Sequence, residues 1–150
     1  MTAPFPHHYE IRLFSPRQGG AELHAVAAPP IAGGPPMEFD GRDTWWSPEH
    51  LLLSSLGLCL LTTFEAIAAK ARLEVLRYEC RAEATLDRNE SGLGFSALGL
   101  HVEIEVNPED AERAPRILEK AKKHCIVANA LRPLVAVDFT VRARAAVDAA

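Results

Sequence analysis

The feature that most restricts the fold of this 150-residue chain is a long apolar segment that follows Ser47. Ser47 is a good N-cap residue, Pro48 suits the first helical position, and Glu49 complements the positive end of the helix dipole. A helix is therefore predicted from here to about Arg72. Its first half, LLLSSLGLCLLTTF, is apolar on nearly all faces, which is typical of a helix buried all round. Because one chain of this length offers little else to surround it, we expect a second subunit to contribute.

Strands with alternating apolar residues are predicted before and after this helix. Residues 9–25 contain two such runs separated by the turn-forming sequence SPRQGG, which indicates a hairpin. The Pro- and Gly-rich segment 29–46 is expected to be a loop. Residues 76–106 contain two clean alternating runs joined by a turn-like connection, and these predict an antiparallel pair.

A second helix and a last strand complete the prediction. Pro115 begins a helix that ends near His124, and alternating valines with Phe139 form a strand after Pro133. The order ββ-α-ββ-α-β indicates an α+β fold, with helices packed on one face of a mostly antiparallel sheet. Residues 1–150 are expected to form a single domain.

Composition and charge narrow the function classes. The net charge of −4 and the absence of a basic stripe argue against nucleic acid or an anionic membrane surface as partner. The N-terminus lacks the pattern of a signal peptide, and the apolar stretch Leu51–Leu61 is shorter than the roughly 20 residues that span a bilayer. Three cysteines without regular spacing suggest no disulfide framework, and no Cys/His pair has zinc-site spacing. These features favour a cytoplasmic protein with reduced thiols and without metal or cofactor.

The three cysteines differ in their surroundings. Cys59 lies mid-helix among apolar residues and has two interpretations, a small packing residue or a reactive thiol. Cys125 follows Lys122, Lys123 and His124, a setting that favours thiolate, although a helix-end packing role is equally open. Cys80 lies on the apolar face of a strand and is expected to be structural. If the fold brings Cys59 and Cys125 together, they form a redox-active dithiol.

Glu49 and two arginines are the charged candidates. The interaction of an acid in the first turn with the helix dipole is enough to explain Glu49. The alternative interpretation is that Glu49 orients a cation near a thiol. Ten residues separate it from Cys59, which is roughly 15 Å along one helix, so the two can meet only if two such helices cross antiparallel in a dimer. Arg17 in the hairpin turn and Arg42 in the long loop are each either solvated or binding residues.

The segment EFDGRDTWWSPEHLLLSSLGLC, with KKHCIVANAL further along the chain, resembles the OsmC/Ohr family of thiol-dependent peroxidases. The hairpin, the strand pair and the closing strand follow that family's order, so the resemblance covers nearly the whole chain. It implies an intertwined homodimer in which two long helices cross at the centre between sheets. Each active site of such a dimer draws on both subunits.

The resemblance also implies roles for individual residues. Cys59 matches the peroxidatic cysteine and Cys125 the resolving one, while Glu49 matches the acid that holds the catalytic arginine. Arg17 looks like that arginine, because PRQGGA aligns with the arginine-containing hairpin turn of the Ohr branch; Arg42 is the other candidate. The implied reaction reduces an organic hydroperoxide to an alcohol through a Cys59 sulfenic acid and a Cys59–Cys125 disulfide. An external dithiol, lipoyl-type or another thiol, would reset the disulfide.

Three positions depart from the family pattern. Glu38 stands where the OsmC branch has an arginine, and Ile126 and Ala128 replace a proline and a serine after the second cysteine. These departures leave a rival interpretation, a non-enzymatic protein that keeps the fold and binds an apolar ligand in the dimer-interface pocket. A third interpretation assigns both thiols to packing in a structural dimer.

Overall fold

The structure is a computed structural model that describes residues 4–17, 20–132 and 134–144, without the side chains of residues 16 and 17. Within these ranges the strands are β1 (Arg12–Arg17), β2 (Gly20–His24), β3 (Ile31–Gly33), β4 (Val75–Asn89), β5 (Gly92–Val106) and β6 (Val135–Ala143). The helices are α1 (Pro48–Lys70), α2 (Ala114–His124) and α3 (Ile126–Ala130), and short 3₁₀ turns occupy Met37–Phe39 and Pro108–Asp110. The chain divides into two compact units, residues 1–52 and 53–150.

The first unit is built on the antiparallel sheet β1-β2-β3. The predicted hairpin is confirmed, with Leu13 opposite Leu23, but β1 continues through the first half of the predicted turn, as far as Arg17. The prediction that residues 29–46 form only a loop is wrong, because β3 lies within them and pairs with β2. The Trp46 N–H donates to the Ala32 carbonyl at 3.0 Å, which ties the residues before α1 to β3.

Both ends of α1 are set by local hydrogen bonds. The backbone N–H of His50 donates to Ser47 Oγ at 3.2 Å, so the predicted N-cap is confirmed, and Ser47 is only 1% exposed. At the other end Arg72 adopts a left-handed conformation (φ 53°), and the Leu73 N–H donates to the Ala68 carbonyl at 2.9 Å. This is the Schellman arrangement, achieved here without glycine.

The second unit carries the sheet β4-β5-β6. β4 and β5 form the predicted antiparallel pair, whereas β5 and β6 run parallel. The parallel pairing follows from the connection: α2 and α3 return the chain to the starting edge, as a crossover between parallel strands requires. The α+β class is confirmed, although the strands form two three-stranded sheets with one parallel pair instead of one mostly antiparallel sheet.

Within the described residues, α1 buries one face rather than its whole circumference. Its buried residues recur every four positions and pack with alternate residues of β5 and one face of α2; they are Leu56, Leu60, Phe64 and Ala68. Full burial of each large side chain stabilises the fold by about 1.5–3 kcal/mol. Leu58 on another face is 61% exposed in the single chain, so all-round burial, which was expected to need a second subunit, stays a prediction.

The length of α1 also bears on the membrane prediction. The whole helix is 23 residues long and apolar enough, by length and composition, to cross a membrane. The apolar stretch Leu51–Leu61, which by itself is too short to span a bilayer, is only part of this helix. The core helix of a soluble protein meets the same criterion, so this property is weak evidence for a membrane span.

Candidate thiol site

The position of Cys59 relative to Cys125 depends on how α1 and α2 are joined. At the N-terminal end of α2, the Arg113 guanidinium donates to the backbone carbonyls of Ala71 at 2.6 Å and Arg72 at 2.7 Å, just beyond α1. It also pairs with Asp110 at 2.7 Å. We call this set of contacts the Arg113 clamp. Cations are favoured at a helix C-terminus, so the clamp holds the end of α1 against the start of α2.

The clamp sets a register between the two helices. Cys59 lies twelve residues before Ala71, and Cys125 lies twelve residues after Arg113. At about 1.5 Å per residue, both thiols are about 18 Å from the clamp along their own helices. Residues of both helices line one cavity, from Ala71 back to Thr62 and from Arg116 to His124, so the helices run beside each other and Cys59 and Cys125 reach about the same level.

The structure accordingly places the two predicted thiols together. Cys59 packs against the core cluster that contains Cys125 and lies close enough to raise the pKa of that thiol, and both cysteines are free thiols. Cys59 is half-buried. Cys125 is the residue with an extended backbone between α2 and α3, and it is 1% exposed. A half-buried thiol next to a buried one is an arrangement in which the first can meet a reagent and the second can reach only its neighbour.

The surroundings of Cys125 differ from the sequence expectation. Burial, and then the neighbouring Cys59, raise the pKa of the Cys125 thiol, whereas hydrogen bonds from the backbone N–H groups of Ala128 and Val127 oppose the rise. The prediction that the preceding cationic residues favour the Cys125 thiolate is therefore wrong. Desolvation of the charged form is the largest influence on this thiol, and it favours the neutral form of Cys125.

Two further polar groups lie close to the pair. Burial raises the pKa of the Cys80 thiol, and the Tyr78 hydroxyl lies beside it. Burial first, and then Cys80 and Cys125, raise the pKa of Tyr78. The Cys80 sulfur lies 3.7 Å from the point where a Cβ on Gly57 would stand. The alternation of residues in β4 predicts from sequence that Tyr78 and Cys80 share the inner face. That this face lies against the thiol region follows only from the packing of α1 on the sheet.

Glu49 occupies the first turn of α1, as predicted. It is half-buried, and its Oε2 atom is buried without a hydrogen-bond partner among the described residues. A buried carboxylate oxygen of this kind costs several kcal/mol unless a cation or donor reaches it. Glu49 is therefore suited to hold a guanidinium.

The two candidate arginines both belong to the first unit. Arg17 pairs through its backbone with Gly20 at the end of the hairpin, and its side chain lies outside the described residues. Arg42 is exposed, and its guanidinium carbon lies 4.7 Å above the centre of the Trp45 ring, a cation–π contact. The structure thus engages Arg42 with an aromatic ring, and the pairing of Arg17 with Glu49 stays a prediction.

Trp45 also contacts the hairpin that carries Arg17. A Cβ on Gly20 would lie 2.9 Å from the Trp45 ring, so only glycine lets the ring pack there without a shift. Gly20 is a residue that sequence reasoning missed as a positioning element. The sequence shows that Gly20 lies beside a turn, but it does not show the contact with Trp45, which is 25 positions away.

Comparison with known proteins shows which proteins this chain and its fold resemble. Peroxiredoxin OsmC from Escherichia coli (strain K12) is 23% identical over 96 residues, which are 64% of this chain and 67% of that protein. An OsmC-like protein of unknown function from Vibrio cholerae matches the fold with a TM-score of 0.82 and 16% identity, covering 90% of this chain and 100% of that one. An organic hydroperoxide resistance protein from Elizabethkingia anophelis gives a TM-score of 0.72 and 20% identity over 95% and 100% of the two chains.

At these identities the structural likeness shows the fold alone. The predicted OsmC/Ohr-like fold is therefore confirmed, while the predicted homodimer stays a prediction. In sequence, the family profile described as OsmC-like protein matches residues 41–140. These residues contain α1 with Glu49 and Cys59, the whole of α2 and α3 with Cys125, and most of the second sheet. The chain therefore belongs to the family of OsmC-like proteins.

Proposed function

We propose that this protein is a cytoplasmic thiol peroxidase that reduces organic hydroperoxides to alcohols. The observation that carries the proposal is the proximity of the half-buried Cys59 thiol to the buried Cys125 thiol, which pack in one core. Cys59 is the accessible member and takes the peroxidatic role. Cys125, neutral and sequestered, takes the resolving role. Residues 1–150 act together as one domain in this proposal.

The reaction proceeds in three steps. The Cys59 thiolate attacks the terminal O–H oxygen of the hydroperoxide, and the O–O bond breaks. The alkoxide takes up a proton and leaves as the alcohol, while the Cys59 sulfur becomes a sulfenic acid. The Cys125 sulfur then attacks the Cys59 sulfur, which releases water and forms the Cys59–Cys125 disulfide. Two thiols of an external dithiol, lipoyl-type or another, reduce this disulfide by exchange and are themselves oxidised to a disulfide. No step needs a metal or a cofactor.

Activation of Cys59 requires a cation, and Arg17 held by Glu49 is the proposed source. The buried, unpartnered Oε2 of Glu49 supports a cation binding there. Glu49 and Cys59 are roughly 15 Å apart along α1, so we place the Cys59 of one subunit beside the partner's Glu49 in a homodimer. The exposed face of α1 around Leu58 is the apolar surface that a second α1 would cover.

The first experiment measures consumption of cumene hydroperoxide with dihydrolipoamide as reductant. We expect turnover by the wild type, a loss of about 100-fold or more in Cys59→Ser, and accumulation of a sulfenic acid that dimedone traps in Cys125→Ser. Cys80→Ser is the matched control, because it removes a thiol of the same region that has no role in the reaction. Turnover by Cys59→Ser at the wild-type rate contradicts the proposal, and so does a wild type without turnover, which would favour the non-enzymatic binding protein.

The second experiment tests whether each site is shared. Glu49→Gln and Cys59→Ser chains are each expected to be inactive as homodimers. If Glu49 serves the partner's thiol, unfolding and refolding the two variants together produces mixed dimers with one intact site each. Random pairing then restores about a quarter of the wild-type activity. A mixture as inactive as its components shows that both residues serve within one chain.

A further inference from the structure

One buried polar group near the thiols has no part in the proposed reaction. The Tyr78 side chain lies on the inner face of β4, with its ring centre 5.9 Å from that of Phe64 on α1. Its hydroxyl oxygen is buried and has no hydrogen-bond partner among the described residues. Most buried side-chain polar atoms have a partner, so an unpaired hydroxyl in this position calls for an explanation.

Packing alone does not require this hydroxyl. The other alternate residues on this face of β4 carry none; they are Leu76, Cys80, Ala82, Ala84 and Leu86. Phenylalanine has the same ring and would fill the same space against Phe64. A buried hydroxyl without a partner lowers the stability of a fold, whereas an apolar group of the same shape does not. Tyr78 therefore carries a cost in stability that a role in the chemistry would explain.

The contacts of β4 with α1 lie at the level of the peroxidatic cysteine. Tyr78 meets Phe64, and the Cys80 sulfur lies 3.7 Å from the point where a Cβ on Gly57 would stand. Cys59 lies between Gly57 and Phe64 along the helix, within a span of about 10 Å. The strand therefore crosses the helix at the height of Cys59.

The Tyr78 hydroxyl is also a neighbour of the resolving thiol. Tyr78 packs against the core cluster that contains Cys125. Burial first, and then Cys80, Cys125 and Glu65, raise the pKa of Tyr78. A phenol with a raised pKa keeps its proton at neutral pH, so Tyr78 presents an O–H donor to these sulfur atoms.

The resolving step benefits from such a donor. The Cys125 sulfur must carry negative charge while it attacks Cys59, but burial and then Cys59 raise the pKa of Cys125. The backbone N–H groups of Ala128 and Val127 oppose this rise only in part. A hydrogen bond to the charged form of a group favours that form, and it is stronger where water is excluded. A hydroxyl that is unpaired beside the neutral thiol can bond the sulfur as charge develops.

We propose that Tyr78 is a hydrogen-bond donor to the Cys125 sulfur, and that this bond forms as Cys125 attacks the Cys59 sulfenic acid. The second part of this inference rests on the proposed peroxidase function. In the step the S–S bond forms and the S–O bond breaks, so the Cys125 sulfur is oxidised and the Cys59 sulfur is reduced. The Cys125 proton leaves with the hydroxide as water, and Tyr78 keeps its own proton throughout.

Titration of Cys125 tests the bond without any peroxide. In the Cys59→Ser/Cys80→Ser background Cys125 is the remaining cysteine, so the NMR shift of its isotope-labelled β-carbon reports its ionisation and no effect can pass through Cys80. Adding Tyr78→Phe should move the titration to higher pH, because the thiolate loses a donor. Tyr9→Phe is the matched control: it makes the same change at a tyrosine that is 93% exposed and should leave the titration where it was. Equal titrations with and without Tyr78→Phe overturn the proposal, whether or not the protein reduces peroxides.

A single turnover with one equivalent of cumene hydroperoxide tests the role in resolution. Tyr78→Phe should form the Cys59 sulfenic acid at the wild-type rate and convert it to the disulfide about tenfold more slowly, because a hydrogen bond to a charged group is lost. Dimedone should therefore trap more sulfenic acid in this variant, and the pH profile of resolution should move to higher pH. The urea midpoint of the reduced variant should equal or exceed that of the wild type, because the unpaired hydroxyl is gone.

The two steps of the turnover separate the alternatives. If Tyr78→Phe slows both steps equally and lowers the urea midpoint, the hydroxyl is structural and the proposal is wrong. If the variant resolves its sulfenic acid at the wild-type rate, Cys125 needs no donor and the second part fails. A wild type that forms no sulfenic acid contradicts the peroxidase proposal and removes the second part with it, while the titration still decides whether Tyr78 bonds Cys125.

Discussion

Replacing Arg113 with methionine removes the clamp that joins the end of α1 to the start of α2. Methionine retains a long apolar stem, so the change mainly deletes the guanidinium. Two consequences follow from the structure. The Ala71 carbonyl loses its 2.6 Å hydrogen bond, and Asp110, whose side chain is only 10% exposed, loses its cationic partner. The bond to the exposed Arg72 contributes little, because water can replace it.

The free energy of unfolding should fall by about 2–3 kcal/mol. The lost bond to Ala71 accounts for about 1 kcal/mol, and the unpaired, largely buried Asp110 for about 1–2 kcal/mol. The second figure lies below the cost of breaking a fully buried pair, because the Arg113 side chain is 42% exposed and solvent screens it. With an m-value of about 2 kcal/mol per molar, the midpoint of urea unfolding should fall by about 1 M or slightly more.

Urea unfolding followed by circular dichroism measures this change. Arg116→Met is the matched control: it makes the same substitution on the same helix at a residue without an ion pair in the described ranges, and should cost less than about 0.5 kcal/mol. Adding Asp110→Asn to Arg113→Met should recover part of the loss, because it removes the unpaired charge. If Arg113→Met and Arg116→Met unfold at the same urea concentration, the clamp does not hold α1 to α2 and does not set the level at which the two thiols lie.

Two further predictions concern the thiol and the helix start. Because the folded state raises the pKa of Cys125 above its ordinary value of 9.0, the folded protein holds this proton more tightly than the unfolded chain. The resulting stability is present below about pH 9 and is lost as the pH rises through the raised value, so the urea midpoint should decline above pH 9, and less steeply in Cys125→Ala. An equal decline in both proteins would show that Cys125 does not contribute. Ser47→Ala removes the N-cap oxygen that accepts from the His50 N–H and should cost about 1 kcal/mol in the same assay. Ser54→Ala, at an exposed position within α1, should cost almost nothing; similar losses for both would rule out a specific cap.

Local signals predicted most elements correctly because their chemistry acts over a few residues. The Ser47 cap acts within one helical turn, and the alternation in residues 76–106 acts between neighbouring side chains. β3 was missed for the opposite reason. Its three residues, in a segment dense in Pro and Gly, become a strand only because β2 offers an unpaired edge and the Trp46 backbone closes the other side. The parallel pairing of β6 was likewise invisible, since it depends on where the crossover helices return the chain.

The candidate site divides in the same way. The sequence by itself determined that Cys59 lies mid-helix, that Cys125 lies at a helix end, and that Glu49 lies in the first turn, because helix periodicity and capping are local properties. Only the tertiary structure decided that the two thiols are neighbours, each twelve residues from a clamp between their helices, and that burial raises the pKa of Cys125. Contact and desolvation depend on the residues that surround a group in space. No spacing along the chain encodes those neighbours.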